Sequence, residues 1–166
     1  MNPLFANLPT TIFTRMSALA VEHEAVNLGQ GFPDFGWPDD VVARAAEELI
    51  RGSNQYAPMP GLPQLRKAVA EHYGIHQDLD LAPDSGVVTS GATEALAASL
   101  MALIEPGDEV LLFQPLYDAY LPLVLRAGGV PRFVRLTPPG WRITEEALAA
   151  AFTPRTKLVV FNNPHN

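Results

Sequence analysis

The chain has 166 residues, of which 48% are hydrophobic and 17% charged, so it is globular with room for one ordinary domain rather than disordered. Its formal net charge of −7 comes without a basic cluster, which argues against nucleic acid as a partner. The chain has no cysteine, so we expect neither disulfides nor thiolate metal sites. It has no secretion signal and no apolar run of the roughly 18 residues that a membrane span needs. We therefore expect a cytoplasmic protein without membrane contact.

The first forty residues differ from the rest. They hold one short helical segment, Phe13–His23, followed by a loop rich in glycine and proline. We interpret residues 1–40 as an N-terminal arm with a segment of a small domain. Helical spacing then appears in Asp39–Arg51 and again in Leu62–Tyr73, where Pro63 suits the first turn.

Strand and helix patterns alternate after residue 85. The predicted elements are a strand at Val87–Gly91, a helix at Thr93–Ile104, a strand at Glu109–Phe113, a helix at Asp118–Ala127, a strand at Val130–Leu136, a helix capped by Thr144 and a strand at Lys157–Phe161. Such alternation is typical of a mostly parallel sheet with helices on both faces. The predicted fold class is therefore α/β, with three α/β/α layers.

A possible anion site lies where the first predicted strand meets its helix. Gly91 and small residues precede the helix, whose free N–H groups and dipole attract a phosphate. The alternative is a tight turn with Thr93 as a plain cap. No GxGxxG fingerprint or Walker lysine is present, which argues against dinucleotide and nucleotide binding.

Two loops that follow predicted strands carry further candidates. Tyr117 could stack on a planar ring, or it could be a half-buried core tyrosine. The amides of Asn162, Asn163 and Asn166 could donate to a phenolate-like oxygen, or they could form a turn. His165 beside them could be an acid or base, although a solvent-facing loop histidine is the simpler interpretation.

Six motifs spread over the whole chain together resemble the class I/II aminotransferases of fold type I, which use pyridoxal phosphate. The similarity is greatest to the kynurenine, glutamine, methionine and cysteine-conjugate group. The motifs are Asn27-Leu-Gly-Gln-Gly-Phe-Pro-Asp-Phe35, Asn54-Gln-Tyr56 with Gly61-x-x-x-Leu65-Arg66, Thr89-Ser-Gly-Ala-Thr-Glu-Ala95, Pro106-Gly-Asp-Glu-Val110, Pro115-Leu-Tyr-Asp-Ala-Tyr120 and Asn162-Asn-Pro-His-Asn166.

The resemblance implies a set of cofactor-binding residues. Backbone groups of Ala92 and Thr93 would bind the phosphate of pyridoxal 5′-phosphate, Tyr117 would stack on its pyridine ring, and Asn166 would bond its phenolic oxygen. Tyr56 would reach the phosphate of the neighbouring subunit's cofactor, which implies a homodimer with shared sites.

The resemblance also implies a substrate pocket, where Gly31 would lie against the substrate carboxylate and Phe13 would line the edge. The lysine that forms the Schiff base in this family matches neither Lys67 nor Lys157, and we expect it beyond residue 166. Residues 41–166 would then be the first half of the large cofactor domain. We expect no catalytic residue within the chain, which should be inactive alone.

The implied activity is transfer of an amino group from an aromatic, methionine-like or glutamine-like amino acid to a 2-oxo acid. Two alternatives stay open at this point. One is β-elimination by a carbon–sulfur lyase on the same fold, and the other is a binding module without catalysis. A third possibility is that the 166-residue chain is itself a product that binds partners.

Overall fold

A computed structural model of the chain describes residues 2–6, 8–31 and 33–165. The chain divides into two compact units, one of residues 12–89 and one of residues 90–166 together with residues 1–11. This division does not coincide with the border predicted at residue 40, so the assignment of 1–40 and 41–166 to two domains stays a prediction. Within the described residues, no helix is long and apolar enough to cross a membrane.

The second unit contains a sheet of three parallel strands in the order β2-β1-β3. Strand β1 is Glu109–Gln114, β2 is Val130–Arg135 and β3 is Thr156–Val160. In the register of the sheet, Val110 lies opposite Pro131 on one side and Leu158 on the other. The parallel sheet predicted from the alternating pattern is confirmed.

Helices cover both faces of this sheet. Because alternate strand residues point to opposite faces, Val110 and Leu112 contact one helical layer, and Leu111 and Phe113 contact the other. The first layer consists of α5 (Ala92–Leu103) and α6 (Tyr120–Arg126), and the second is α7 (Glu145–Ala151). The short helix α1 (Pro3–Ala6) packs against α6. The three predicted α/β/α layers are therefore present.

The first unit is helical. It contains α2 (Ile12–Glu22), α3 (Asp39–Arg51), α4 (Pro63–Gln77) and a 3-10 turn at Pro83–Ser85. The helix predicted for α3 has the predicted bounds, but none of its residues is buried. Its apolar face is open, with Leu49 70% and Ile50 82% exposed.

The strand predicted at Val87–Gly91 is wrong. The segment forms no ladder with any described strand, and Val87 is 68% exposed. The backbone N–H of Val88 instead donates to the carbonyl of Pro60 at 3.0 Å. Valines favour extended backbone, but a strand also needs a neighbouring strand to satisfy its backbone groups. The predicted helix after Tyr117 is also shorter than expected, since α6 begins at Tyr120.

A buried carboxylate stands at the start of β1. The Glu109 side chain is 2% exposed, and it accepts a hydrogen bond from Thr153 Oγ1 at 2.7 Å. Arg155 pairs with it at 2.5 Å and Arg132, on β2, at 3.5 Å. The Thr153 hydrogen bond and the two arginines lower the pKa of Glu109, while burial acts in the opposite direction. This group joins β1 to β2 and to the turn before β3.

We expect Glu109→Gln to lower the free energy of unfolding at pH 7, because the two arginines lose their charged partner. The pKa of Glu109 is below its ordinary value of 4.5 in the folded chain. The stabilisation is therefore complete above that value and is lost as the pH falls through the lower folded pKa. Urea unfolding of both proteins from pH 7 to pH 3 should show the two stabilities converging in acid.

Glu47→Gln is the matched control, because Glu47 pairs with Arg44 and Arg51 on the exposed surface of α3. Its substitution should change stability by no more than about 0.5 kcal/mol. If Glu109→Gln lowers the free energy of unfolding no more than the control does, or by an amount that does not change with pH, the buried ion pair does not stabilise the fold as described.

Candidate ligand site at the carboxyl edge of the sheet

Helix α5 precedes β1 along the chain and packs against it through Leu100. Helix α5 is joined to β1 by a short turn, in which the backbone N–H of Asp108 donates to the carbonyl of Glu105 at 3.0 Å. Twelve helical residues span about 18 Å, and six strand residues span about 20 Å. Because α5 is joined to β1 by a short turn and packs against it through Leu100, we expect its first turn to lie towards the carboxyl edge of the sheet.

The first turn of α5 suits an anion. Gly91 precedes it with φ 84° and ψ 170°, and an added Cβ there would meet nothing within 4 Å. Gly91 is the N-cap, so the alternative in which Thr93 caps the helix is wrong. Ala92 and Thr93 follow in the exposed first turn, where N–H groups and the helix dipole favour negative charge. On the other side of Gly91, the backbone N–H of Ser90 donates to the Glu94 carboxylate.

An aromatic side chain stands after the end of β1. Tyr117 is half-buried, and its ring meets the ring of Tyr120 edge-on, with centroids 5.6 Å apart and planes at 71°. Offset or edge contacts of this kind hold a ring in place while leaving a face for a further aromatic partner. The loop therefore offers an aromatic ring, held by an edge contact, just beyond the end of β1.

The loop after β3 is bonded to the loop after β1. His165 Nε2 lies 2.5 Å from the carbonyl oxygen of Pro115, and since a carbonyl only accepts, this nitrogen carries the proton. The His165 side chain is exposed, and Asn162 is half-buried. Asn166, predicted to bond a phenolic oxygen, lies outside the described residues.

These features fit pyridoxal 5′-phosphate, which the family resemblance implies. A phosphate suits the first turn of α5 at Ala92 and Thr93, and a planar ring suits Tyr117. An open turn with no side chain at Gly91 gives a phosphate room to approach the backbone closely. In the described part of the chain, no group of three or more His, Asp or Glu side chains is placed to hold a metal ion.

Three predicted site residues belong to the other compact unit. Phe13 is half-buried on α2, and Gly31 is exposed, with nothing within 4 Å of an added Cβ. Tyr56 is fully exposed, at 102% of its reference area. Ser17 and Asn27, which the sequence analysis did not single out, form side-chain hydrogen bonds beside the loop of Gly31.

Neither lysine stands at the candidate site. Lys67 is exposed on α4 and pairs with Glu71 at 3.5 Å. Lys157 is the second residue of β3, and therefore lies near the amino edge of the sheet. The sheet brings no lysine of its own strands to the edge where Tyr117 stands.

Sequence comparison gives a family match over most of the chain. The sequence model described as "Aminotransferase class I and II" matches residues 23–166. The chain is 47% identical to a methionine aminotransferase of Escherichia coli, over 99% of this chain and 44% of that protein. It is 38% identical to a kynurenine–oxoglutarate transaminase of Dictyostelium discoideum, over 94% of this chain and 40% of that protein.

Structural comparison agrees. The N-succinyldiaminopimelate aminotransferase of Mycobacterium tuberculosis superposes with a TM-score of 0.91 and 44% identity, over 100% of this chain and 44% of that chain. A crystal structure of an Escherichia coli methionine aminotransferase gives a TM-score of 0.89 at 45% identity, over 96% and 43% of the two chains. The chain thus spans less than half the length of the relatives it matches.

We expect Gly91→Ala to destabilise the chain by about 1–3 kcal/mol, because its backbone lies in a region that only glycine adopts without strain. Gly86→Ala is the control, since Gly86 has φ −102° and equally open surroundings. That change should be neutral or stabilise by about 0.4–1 kcal/mol. Urea unfolding measures the free energy of unfolding of both variants. Equal effects of the two substitutions would show that an alanine side chain does not strain the turn at Gly91.

Proposed function

The chain belongs to the class I and II aminotransferases, and from this premise we propose that it forms the cofactor-binding N-terminal part of an enzyme that transfers an amino group from an amino acid to a 2-oxo acid. Two observations support the proposal: the open helix N-terminus at Gly91, and the Tyr117 ring just beyond the end of β1. Ligands of open α/β sheets bind beyond the carboxyl ends of the strands.

In the proposed enzyme, pyridoxal 5′-phosphate supplies an electron sink for the carbon that gains or loses the amino group. The backbone N–H groups of Ala92 and Thr93 donate to its phosphate. The Tyr117 ring stacks on its pyridine ring and fixes the plane in which it lies. Asn166 donates to its phenolic oxygen.

The reaction also requires a lysine that binds the cofactor and moves a proton. Lys67 is paired on an exposed helix, and Lys157 lies near the amino edge of the sheet. We therefore propose that the lysine is supplied by a part of the protein outside these 166 residues, and that the chain is inactive alone. In this family an aspartate pairs with the pyridine nitrogen and an arginine binds the substrate carboxylate, and we propose that the same part supplies both.

We propose an amino donor with an aromatic, methionine-like or glutamine-like side chain. In this proposal the substrate carboxylate lies against Gly31, and Phe13 lines the edge of the pocket. The exposure of Gly31 and the half-burial of Phe13 support these roles.

We also propose a homodimer in which Tyr56 reaches the phosphate of the neighbouring subunit's cofactor. The complete exposure of its phenol supports a contact outside its own chain. The cysteine-free composition supports a cytoplasmic location.

The activity can be tested in a fusion protein, made by joining residues 1–166 to the part of the Escherichia coli methionine aminotransferase that the chain does not cover. We expect the fusion to bind pyridoxal phosphate and to convert more than one equivalent of methionine only when a 2-oxo acid acceptor is present. The 166-residue chain alone should give no turnover.

A cysteine S-conjugate distinguishes the alternative reaction in the same fusion. Release of pyruvate, ammonia and a thiol without an acceptor, and without amino-group transfer, would replace transamination by β-elimination. Cofactor binding with neither reaction would favour a binding module.

We expect Tyr117→Ala in the fusion to raise the Kd for pyridoxal phosphate about 2- to 10-fold, the equivalent of a lost stacking contact of about 0.5–1.5 kcal/mol. Tyr117→Phe keeps the ring and should leave the Kd nearly unchanged. Tyr73→Ala, on the exposed surface of α4, is the control for loss of a tyrosine. An unchanged Kd in Tyr117→Ala, measured by cofactor fluorescence, would assign Tyr117 to packing alone.

A further inference from the structure

A series of side-chain hydrogen bonds connects the loop of Gly29–Gly31 to helix α2. The Asn27 amide nitrogen donates to Ser17 Oγ at 3.1 Å, and Ser17 Oγ donates to Gln30 Oε1 at 3.2 Å. The Asn27 amide oxygen accepts from the backbone N–H of Gly29 at 2.9 Å. Since Asn27 and Ser17 each donate and accept, the bonds polarise one another and act as one unit. We call these three side chains the α2 tether.

The loop backbone lies directly on the helix at one point. A Cβ added to Gly29 would be 3.0 Å from Met16 Cβ and 3.2 Å from the Asn27 amide oxygen. Glycine therefore allows the close approach that the α2 tether requires.

Apolar packing does not fix the loop by itself. A cavity of about 370 Å³ lies beside α2 and the segment that leads into the loop. Its lining includes Met16, Leu19, Val26 and Leu28. Because Val26 and Leu28 are 83% and 91% exposed, they contribute little packing, and the directional hydrogen bonds of the α2 tether remain to hold the loop backbone.

Gly31 is two residues beyond the anchored Gly29. It is exposed, and an added Cβ there would meet nothing within 4 Å, so its backbone is open to a ligand. A backbone held by a bonded neighbour can receive a carboxylate without first becoming ordered, which reduces the entropic cost of binding.

We propose that Ser17, Asn27 and Gln30 are positioning residues that hold the Gly31 backbone in place to receive the carboxylate of the substrate. The inference rests on the proposed function, in which Gly31 lies against that carboxylate. None of the three side chains needs to touch the substrate. Loosening the α2 tether weakens binding of the carboxylate and disturbs the orientation of the substrate. Misplacement of a substrate by about 1 Å can lower the rate up to about 100-fold. The affinity for the cofactor stays unchanged.

The first test measures the tether directly in the fusion protein. Asn27→Ala removes the acceptor of the Gly29 N–H, so hydrogen exchange of the Gly29 amide should accelerate. Ser17→Thr keeps the hydroxyl and should preserve slow exchange, whereas Ser17→Ala should not. Val21→Ala is the control, because Val21 lies on the same helix and is 80% exposed. Unchanged Gly29 exchange in Asn27→Ala would show that no tether exists and would overturn the proposal.

The second test measures binding of 4-(methylthio)butanoate, which carries the carboxylate and the thioether of methionine but no amino group. We expect Asn27→Ala and Ser17→Ala to raise its Kd about 2- to 10-fold, the effect of one lost hydrogen bond. The KM for methionine should rise in parallel, and the Kd for pyridoxal phosphate should match that of Val21→Ala. Gln30→Ala removes only the last bond of the tether and gives a milder variant if the others fold poorly.

Faster Gly29 exchange with unchanged carboxylate affinity and KM would make the tether purely structural and overturn the proposal. An equal loss of cofactor affinity and carboxylate affinity would do the same. If the unsubstituted fusion catalyses no transamination, the proposed function fails, and the carboxylate Kd still decides the role of the tether.

Discussion

The sheet and its carboxyl edge depend on one constraint. Strand β1 is buried on both faces. Val110, Leu111 and Leu112 are completely buried, and they contact helices on opposite sides. Each buried leucine contributes about 1.5–3 kcal/mol, and a slip of one residue would exchange the two faces. The register is thereby fixed, and so is the point where the strand ends. That point positions the loop of Tyr117.

The amino end of β1 is held by charge rather than by apolar contact. Glu109 is buried there only because Thr153, Arg155 and Arg132 satisfy its oxygens. The two arginines come from β2 and from the turn before β3, so the carboxylate joins all three strands. A charged residue in this position restricts which neighbours can pair with β1, since an apolar partner would leave the carboxylate without a cation.

Sequence alone predicted the elements whose signal is local. Apolar periodicity indicated α3, α5 and all three strands, and Thr144 caps α7 as expected, accepting from Ala147 at 3.2 Å. The strand at Val87–Gly91 failed because a strand depends on a neighbour that periodicity does not reveal. Thr153 and Arg155, two of the partners of Glu109, lie 44 and 46 residues away along the chain, and the bonds of Ser17 span 10 and 13 residues. No local pattern encodes such contacts. The cofactor roles of Ala92, Thr93, Tyr117 and Asn166 stay predictions.

The two ends of β1 therefore have different roles, and they lie about 20 Å apart along the strand. Residues that secure the fold gather at Glu109, and residues suited to a ligand gather beyond Gln114. A protein arranged in this way can accumulate changes around its ligand with little cost to folding. For protein engineering, the amino ends of the strands are best kept constant, and substitutions are better placed beyond the carboxyl ends, away from the residues proposed to bind the cofactor. In evolution, the same separation allows related proteins to change their substrates while their fold stays the same.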